Sequence, residues 1–166
     1  MFPRASDGRG VAPGRRIWAA SLAAVRREER DYSSTPLSRK LGIRVGSRVR
    51  LVGAPKSFRA SLDPLPPGVR FVPASRRGID VAILFVTRRM ELDRRFAPLA
   101  RSLEPDGRLW VAWPKKASKV PTDLSFDVVQ GTGLDAGLVD NKSAAIDGTF
   151  QGLQFVVRRK DRPPRG

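Results

Sequence analysis

The sequence predicts a single three-layer α/β domain whose mostly parallel sheet ends in an antiparallel hairpin. Strand-like and helix-like segments alternate through the middle of the chain, which is typical of a parallel sheet with right-handed crossovers. The segment Val81 to Val86 is apolar without a break, as in a strand buried on both faces. The last two strand segments are joined only by the turn Asp147 to Thr149, so this pair should be antiparallel.

The length of 166 residues fits one domain. We expect this domain to span residues 32–160, between a disordered or loosely helical basic arm at 1–31 and a disordered tail at 161–166. A signal peptide is disfavoured because the charged segment RREER follows the short apolar stretch Ile17 to Val25. The longest apolar run has six residues and is too short to span a membrane. We therefore expect a cytoplasmic protein that does not enter membranes.

The first half of the predicted domain contains short elements. Thr35 is a suitable N-cap for a helix over 35–40, and Gly42 is a suitable stop. Alternating apolar residues predict a strand over Arg48 to Val52, and the Phe58 and Leu62 spacing indicates a short helix over Ser57 to Leu62. A second short strand is predicted over Val69 to Val72.

The second half carries the stronger patterns. Asp80 to Thr87 is the clearest strand, and Leu92, Phe96, Leu99 and Leu103 follow it at helical spacing. Thr87 is a candidate N-cap of this helix, and Pro98 predicts a kink or break near Phe96. The later elements are predicted as follows: a turn at Pro105 to Gly107, a strand over Arg108 to Trp113, a polar loop over Lys115 to Pro121, a helix capped by Thr122, and strands over Leu138 to Ile146 and Leu153 to Arg159.

Several segments resemble known families. The turn LEPDG followed by RLWVAW is similar to the turn and strand of class I methyltransferases, a variant of the Rossmann arrangement. The segments TPLSRKLGI, RLVGAP, DVAILFVT, LEPDGRLWVAWPKKASKVPTDL and LQFVVRR resemble a family of small bacterial proteins known as domain of unknown function 3052. This resemblance covers Tyr32 to Arg159. It implies a Rossmann-like, methyltransferase-like fold in a bacterial protein, and it implies no established activity.

Three predicted strand ends would lie at one edge of the sheet, where open α/β sheets bind ligands. Their basic and hydroxyl side chains, with backbone N–H groups at helix starts, would suit a phosphate-bearing anion. The alternative is an ordinary set of solvated basic loops. Trp113 lies at a strand end and could stack on a base, or it could pack in the core. The candidate anion-binding residues are Lys56, Thr87, Arg88, Arg89, Lys115, Lys116 and Ser118.

The residues do not match a nucleotide or S-adenosylmethionine site. Such sites need several glycines after the first strand, whereas Gly53 is followed by Ala54 and Pro55, which has no N–H group. They also use an acidic residue at the end of the second strand, where this chain has the segment Val72 to Ser75. Asp80 begins its strand and should lie at the opposite edge. We therefore expect no cofactor.

Catalytic and metal-binding residues are scarce. The chain has no histidine and no cysteine, which removes the commonest general base, the commonest metal ligand and thiol nucleophiles. No GxSxG motif is present. Asp123 could act as a general base, but its position after the cap Thr122 favours a role in complementing the helix dipole. These observations favour a protein that is not an enzyme and holds no metal.

The net charge is +16, and the excess lies within the domain. Residues 1–120 carry 26 basic and 10 acidic side chains, whereas residues 121–166 carry six of each. A basic domain attracts nucleic acids, acidic proteins and other anions. The favoured interpretation is a non-catalytic binding module for a phosphate-bearing ligand or partner. The alternatives are a divergent S-adenosylmethionine-dependent methyltransferase and a non-specific nucleic-acid binder.

Overall fold

The computed structural model describes residues 35–73 and 76–162. The predicted arm at 1–31 lies outside the described residues, as do the last four residues of the predicted tail. Asp161 ends a short 3₁₀ helix, and Arg162 Nε donates a 3.0 Å hydrogen bond to the carbonyl of Val157.

The elements of the described residues alternate as the sequence predicts. Helices precede or follow most strands, and the two longest helices come in the second half. The helices are α1 (Leu37–Lys40), α2 (Phe58–Ser61), α3 (Arg89–Ser102) and α4 (Phe126–Asp135). The strands are β1 (Arg48–Val52), β2 (Arg70–Phe71), β3 (Ile79–Phe85), β4 (Leu103–Pro114), β5 (Leu138–Ala145) and β6 (Phe150–Val157).

The six strands form one sheet in the order β2–β1–β3–β4–β6–β5. The neighbours from β2 to β4 are parallel, whereas β6 is antiparallel to both β4 and β5. This topology confirms the predicted α/β fold class, a mostly parallel sheet ending in an antiparallel hairpin. The buried strand β3 lies at the centre of the parallel part, where its apolar sequence requires cover on both faces.

Two apolar clusters cover the two faces of the sheet. One contains Ala82 and Leu84 of β3 with residues of α3 and α4, and the other contains Val81 and Ile83 with residues of α1 and α2. We call these the α3 face and the α1 face. The alternation along β3 sends successive side chains to opposite faces, which gives the predicted three layers.

Close contacts fix helices on both faces. On the α1 face, the indole Nε1 of Trp110 donates a buried 2.9 Å hydrogen bond to the carbonyl of Leu41, just after α1. On the α3 face, a Cβ atom at Gly133 of α4 would collide with the ring of Phe155. Phe155 also packs edge-to-face on Phe96 of α3, with ring centroids 5.2 Å apart.

Several element boundaries differ from the prediction. Helix α3 runs unbroken through Pro98 to Ser102, because its apolar side packs on the sheet and outweighs the loss of one N–H group. The predicted turn at Pro105 to Gly107 is part of β4, as an irregularity between the pairs Leu103 with Ile79 and Arg108 with Val81.

Helix α4 begins later than predicted. Its N-cap is Ser125, whose hydroxyl accepts a hydrogen bond from the Val128 N–H, and not Thr122. The hydroxyl of Thr122 is used elsewhere, at the end of β3. The predicted N-cap of α3 also differs, because Arg88 and not Thr87 occupies that position.

Candidate functional site

The carboxyl edge of the sheet is contacted by a segment of the same chain. The hydroxyl of Thr122 donates a 2.6 Å hydrogen bond to the carbonyl of Thr87, immediately beyond β3. The carboxylate of Asp123 accepts a 2.7 Å hydrogen bond from the backbone N–H of Arg89, the first residue of α3. A helix N-terminus is where a phosphate would bind in this type of sheet, so Asp123 takes part of that position.

The loop between β4 and α4 is arranged by its own polar groups. Ser118 donates a 2.6 Å hydrogen bond from its hydroxyl to the carbonyl of Lys115 and accepts one from the backbone N–H of Val120. The backbone N–H of Lys115 donates to the carbonyl of Thr149 in the β5–β6 turn. Ser118 therefore has a structural role that the sequence alone does not reveal.

The predicted anion-binding side chains lie in several different places. Lys56, Arg88, Arg89 and Lys116 are exposed, whereas Thr87, Lys115 and Ser118 are half-buried. Lys56 lines an open cleft beside β2, together with Arg59 and Arg70. Arg89 lines a groove between α3 and α4 that also carries three aspartates: Asp93, Asp127 and Asp135. A shared anion site for these residues stays a prediction.

Trp113 packs in the core. Its side chain is only 2% exposed and belongs to the cluster on the α3 face. Trp110 is fully buried on the opposite face, as their spacing of three residues predicts. In this structure the indole of Trp113 is not available to stack on a base or an adenine ring, so core packing is the correct interpretation.

The residues after β1 and β2 do not fit S-adenosylmethionine. Gly53 has a φ of +70°, and a Cβ atom there would lie 2.7 Å from the carbonyl oxygen of Phe85. This glycine therefore permits a close approach between two strand ends of the protein. After β2 the described residues are Val72 and Pro73, which offer no carboxylate for ribose hydroxyls.

The amino edge of the sheet carries a compact charge cluster. The guanidinium of Arg48, at the start of β1, lies 3.2 Å from the carboxylate of Asp80 and 2.9 Å from that of Glu104. These two hydrogen-bonded carboxylates raise the pKa of Arg48 above its usual value. Asp80 therefore lies at the edge opposite to the predicted ligand edge, as expected for a residue that begins its strand.

Beside this cluster lies a cleft lined by basic side chains, which we call the amino-edge cleft. It has a volume of about 500 Å³ and lies beneath the loop that joins α1 to β1. No acidic residue is among the described residues that line it. The basic lining residues are Arg39, Lys40, Arg44, Arg108 and Lys142.

Arg108 is one of three half-buried basic residues of this cleft, with Lys40 and Lys142. Burial lowers the pKa of Arg108 below the usual value, and the positive charges of Arg44 and Arg162 lower it further. Its Nη1 atom donates a long, 3.4 Å hydrogen bond to the side-chain oxygen of the buried Gln154. Gly42 permits this placement, because a Cβ atom there would collide with the guanidinium of Arg108.

Sequence reasoning did not identify the amino-edge cleft. Its basic residues come from α1, the loop after it, β4 and β5, which are distant in sequence. The general rule for α/β sheets also directs attention to the carboxyl edge. The one local signal is the glycine at position 42. A glycine can indicate a close approach, but the sequence does not show that Arg108 is the residue that approaches it.

The described residues contain neither a membrane-spanning helix nor a candidate metal site. No helix in residues 35–73 and 76–162 is long and apolar enough to cross a membrane. Across the same ranges, acidic side chains form no group of three or more that could hold a metal ion.

No protein-family model matches the chain, and no curated protein matches its sequence. Solved structures do match its fold. Magnesium protoporphyrin IX methyltransferase from Synechocystis PCC 6803, solved with bound SAM, is 12% identical, with a TM-score of 0.51 over 92% of this chain and 86% of that chain. Mitomycin 7-O-methyltransferase is 13% identical, with a TM-score of 0.50 over 87% of this chain and 57% of that chain. The chain therefore has a methyltransferase-like Rossmann architecture.

Proposed function

We propose that this protein is a non-catalytic binding module for a phosphate-bearing anion. The observation that carries the proposal is the amino-edge cleft, where Arg44 and Arg108 lie close together. The same two arginines also line an adjoining cleft with Asp80 and Asp106, and Asp80 is already paired with Arg48. A bound phosphate would offset the repulsion between the positive charges of Arg44 and Arg108. Charge-assisted hydrogen bonds of this kind contribute about 1.5–3 kcal/mol each when they are partly shielded from water.

The absence of catalysis is supported by the composition and by the carboxyl edge. The chain has no histidine and no cysteine. The edge at which enzymes of this architecture hold their ligands is contacted by Thr122 and Asp123 of the same chain. Neither Asp123 nor Thr122 has a described basic or nucleophilic partner that would make it a proton-transfer group.

The second candidate function is that of a divergent S-adenosylmethionine-dependent methyltransferase. The comparisons favour it over a binding module, because the structural neighbours are methyltransferases and one of them contains SAM. The residues after β1 and β2 oppose it. Gly53 is followed by Ala54 and by Pro55, which has no N–H group, and the segment Val72 to Ser75 has no carboxylate. Binding of S-adenosylmethionine therefore separates the two candidates.

We also propose that the chain is a member of the family known as domain of unknown function 3052. This proposal rests on the segments WPKKAS and PTDL, which are the most specific part of the resemblance. In the structure these segments form the end of β4 and part of the loop that contacts the carboxyl edge through Thr122 and Asp123.

A titration of three double variants with inorganic pyrophosphate tests the anion site. R39Q/R44Q removes two exposed charges from the amino-edge cleft, and K115A/K116A removes two from the predicted site at the carboxyl edge. R76A/R77A removes two exposed charges outside the amino-edge cleft and serves as the control. We expect R39Q/R44Q to weaken binding about tenfold or more and the other two to change it by about twofold or less.

Two other outcomes of the pyrophosphate titration would contradict this assignment of the anion site. A large loss in K115A/K116A alone would move the anion site to the carboxyl edge, where Lys56, Arg88 and Lys115 were predicted to act. Equal losses in all three variants would mean that pyrophosphate responds to overall charge and that the protein has no specific site.

A further inference from the structure

Two arginines carry buried N–H groups without a hydrogen-bond partner on the α3 face of the sheet. Arg50 lies on β1 and Arg95 lies on α3. The Nε atoms of both are buried, and neither has a partner among the described residues. A guanidinium is always charged and has only donors, so a buried Nε–H that bonds to nothing is unfavourable.

The two side chains approach each other from facing elements. Alternation along β1 puts Arg50 on the same side as Val52, which belongs to the cluster containing Leu92 and Phe96 of α3. Burial lowers the pKa of Arg50, and the charge of Arg95 lowers it further. The two positive charges therefore interact in a partly buried place, and an anion between them would offset their repulsion.

Arg48, on the same strand, is an arginine with ion-pair partners and can be compared with Arg50. It precedes Arg50 by two residues on the same side of β1, and both Asp80 and Glu104 form ion pairs with it. Its pKa is raised, whereas that of Arg50 is lowered. Within the described residues, the fold provides carboxylates for one arginine of this strand and no partner for the Nε atom of the next.

We propose that Arg50 and Arg95 together bind an oxyanion, the phosphate group of a small ligand, at a second site. Two guanidinium groups match the geometry of a phosphate because each can donate two parallel N–H groups. The site is distinct from the amino-edge cleft, which adjoins Ile43 and Gly42 on the α1 face of the sheet. It goes beyond the proposed function because it does not depend on the residues of that cleft.

The Nε–Hε signals of arginine in proton–nitrogen NMR spectra report on the site directly. Inorganic phosphate is titrated into the unmodified full-length protein, with sodium chloride at matched ionic strength as the reference. We expect the signals of Arg50 and Arg95 to move together and to saturate with phosphate, and to stay in place with chloride. R50K and R95K identify the two signals, because lysine has no Nε–H of this type. If neither signal responds in a saturable way up to about 10 mM phosphate, the proposal is wrong.

Matched variants of α3 separate a site from general charge attraction. R95Q and R94Q each remove one charge from the helix, but Arg94 is exposed. We expect R95Q to weaken phosphate binding at the Arg50 signal about tenfold and R94Q about twofold or less. Without phosphate, R95Q should unfold at the same or a higher urea concentration than the unmodified protein, because a repulsion has been removed. Equal weakening by R94Q and R95Q contradicts the proposal.

A further measurement tests whether this site is independent of the amino-edge cleft. The variant R39Q/R44Q should leave the phosphate response of the Arg50 and Arg95 signals unchanged. If that variant abolishes the response, phosphate acts from the amino-edge cleft and the second site does not exist. If pyrophosphate binding at the cleft fails while these signals still respond, the assignment of the anion site to the amino-edge cleft is wrong and the second site remains.

Discussion

The carboxylate of Asp123 accepts a 2.7 Å hydrogen bond from the backbone N–H of Arg89, across 34 residues of sequence. Helix α3 therefore receives its N-terminal cap from the loop before α4, and Arg88 at the N-cap position makes no side-chain cap of its own. A carboxylate complements the positive end of a helix, so this contact stabilises α3. It also lowers the electrostatic attraction of the α3 N-terminus for an anionic ligand. The fold of a methyltransferase is thus present with its usual ligand edge partly closed.

Replacing Asp123 with alanine should destabilise the protein. The Arg89 N–H would lose its partner, and the loss of a helix cap costs about 1 kcal/mol. Urea unfolding followed by circular dichroism measures the change. D127A is the matched control, because Asp127 is also an exposed aspartate near a helix N-terminus, in the first turn of α4. A D123A variant as stable as D127A would mean that the contact does not form in solution.

The substitution G53A should cost more stability than G46A. Both glycines have a positive φ, +70° and +76°, so alanine is strained by about 1–2 kcal/mol at either position. At Gly53 the new Cβ atom would also lie 2.7 Å from the carbonyl oxygen of Phe85, whereas nothing lies within 4 Å at Gly46. The loss of unfolding free energy in G53A minus the loss in G46A measures the cost of the contact between the new Cβ atom and the end of β3. Equal losses would show that the ends of β1 and β3 do not approach each other this closely in solution.

Salt dependence tests the alternative of a non-specific nucleic-acid binder. A protein that neutralises several phosphates of a duplex loses affinity steeply as salt rises, with a logarithmic slope of about −0.9 for each phosphate. We expect weak binding of a short DNA duplex at about 0.15 M salt, because the cleft basic residues occupy one small region. Fluorescence anisotropy at several salt concentrations gives the slope. Tight binding with a steep slope, reduced alike by R39Q/R44Q and R76A/R77A, would favour the nucleic-acid interpretation.

The parts of the fold that local patterns determine were predictable. The unbroken apolar run in β3 identified a central parallel strand, and the short Asp147 to Thr149 turn identified the antiparallel hairpin. Leu92, Phe96 and Leu99 identified the buried side of α3. Each of these features depends on residues within one element or on two neighbouring elements.

Features that depend on tertiary contacts were not predictable. Thr122 and Ser125 are both suitable N-caps, and only the contact of Thr122 with Thr87 decides that α4 begins after Ser125. Pro98 suggested a break, but packing of α3 on the sheet keeps the helix continuous. The amino-edge cleft escaped prediction for the same reason, since Arg44 and Arg108 meet only in the folded chain.

Calorimetric titration of one protein preparation with two ligands tests the central claim most directly. S-adenosylmethionine reports on the carboxyl edge, and inorganic pyrophosphate reports on the basic amino-edge cleft lined by Arg44 and Arg108. We expect saturable heat with pyrophosphate, with an affinity about tenfold or more weaker in R39Q/R44Q, and no saturable heat with S-adenosylmethionine at concentrations up to about 1 mM. Saturable binding of S-adenosylmethionine at micromolar concentration, with none for pyrophosphate, would contradict the account and identify the protein as a candidate methyltransferase.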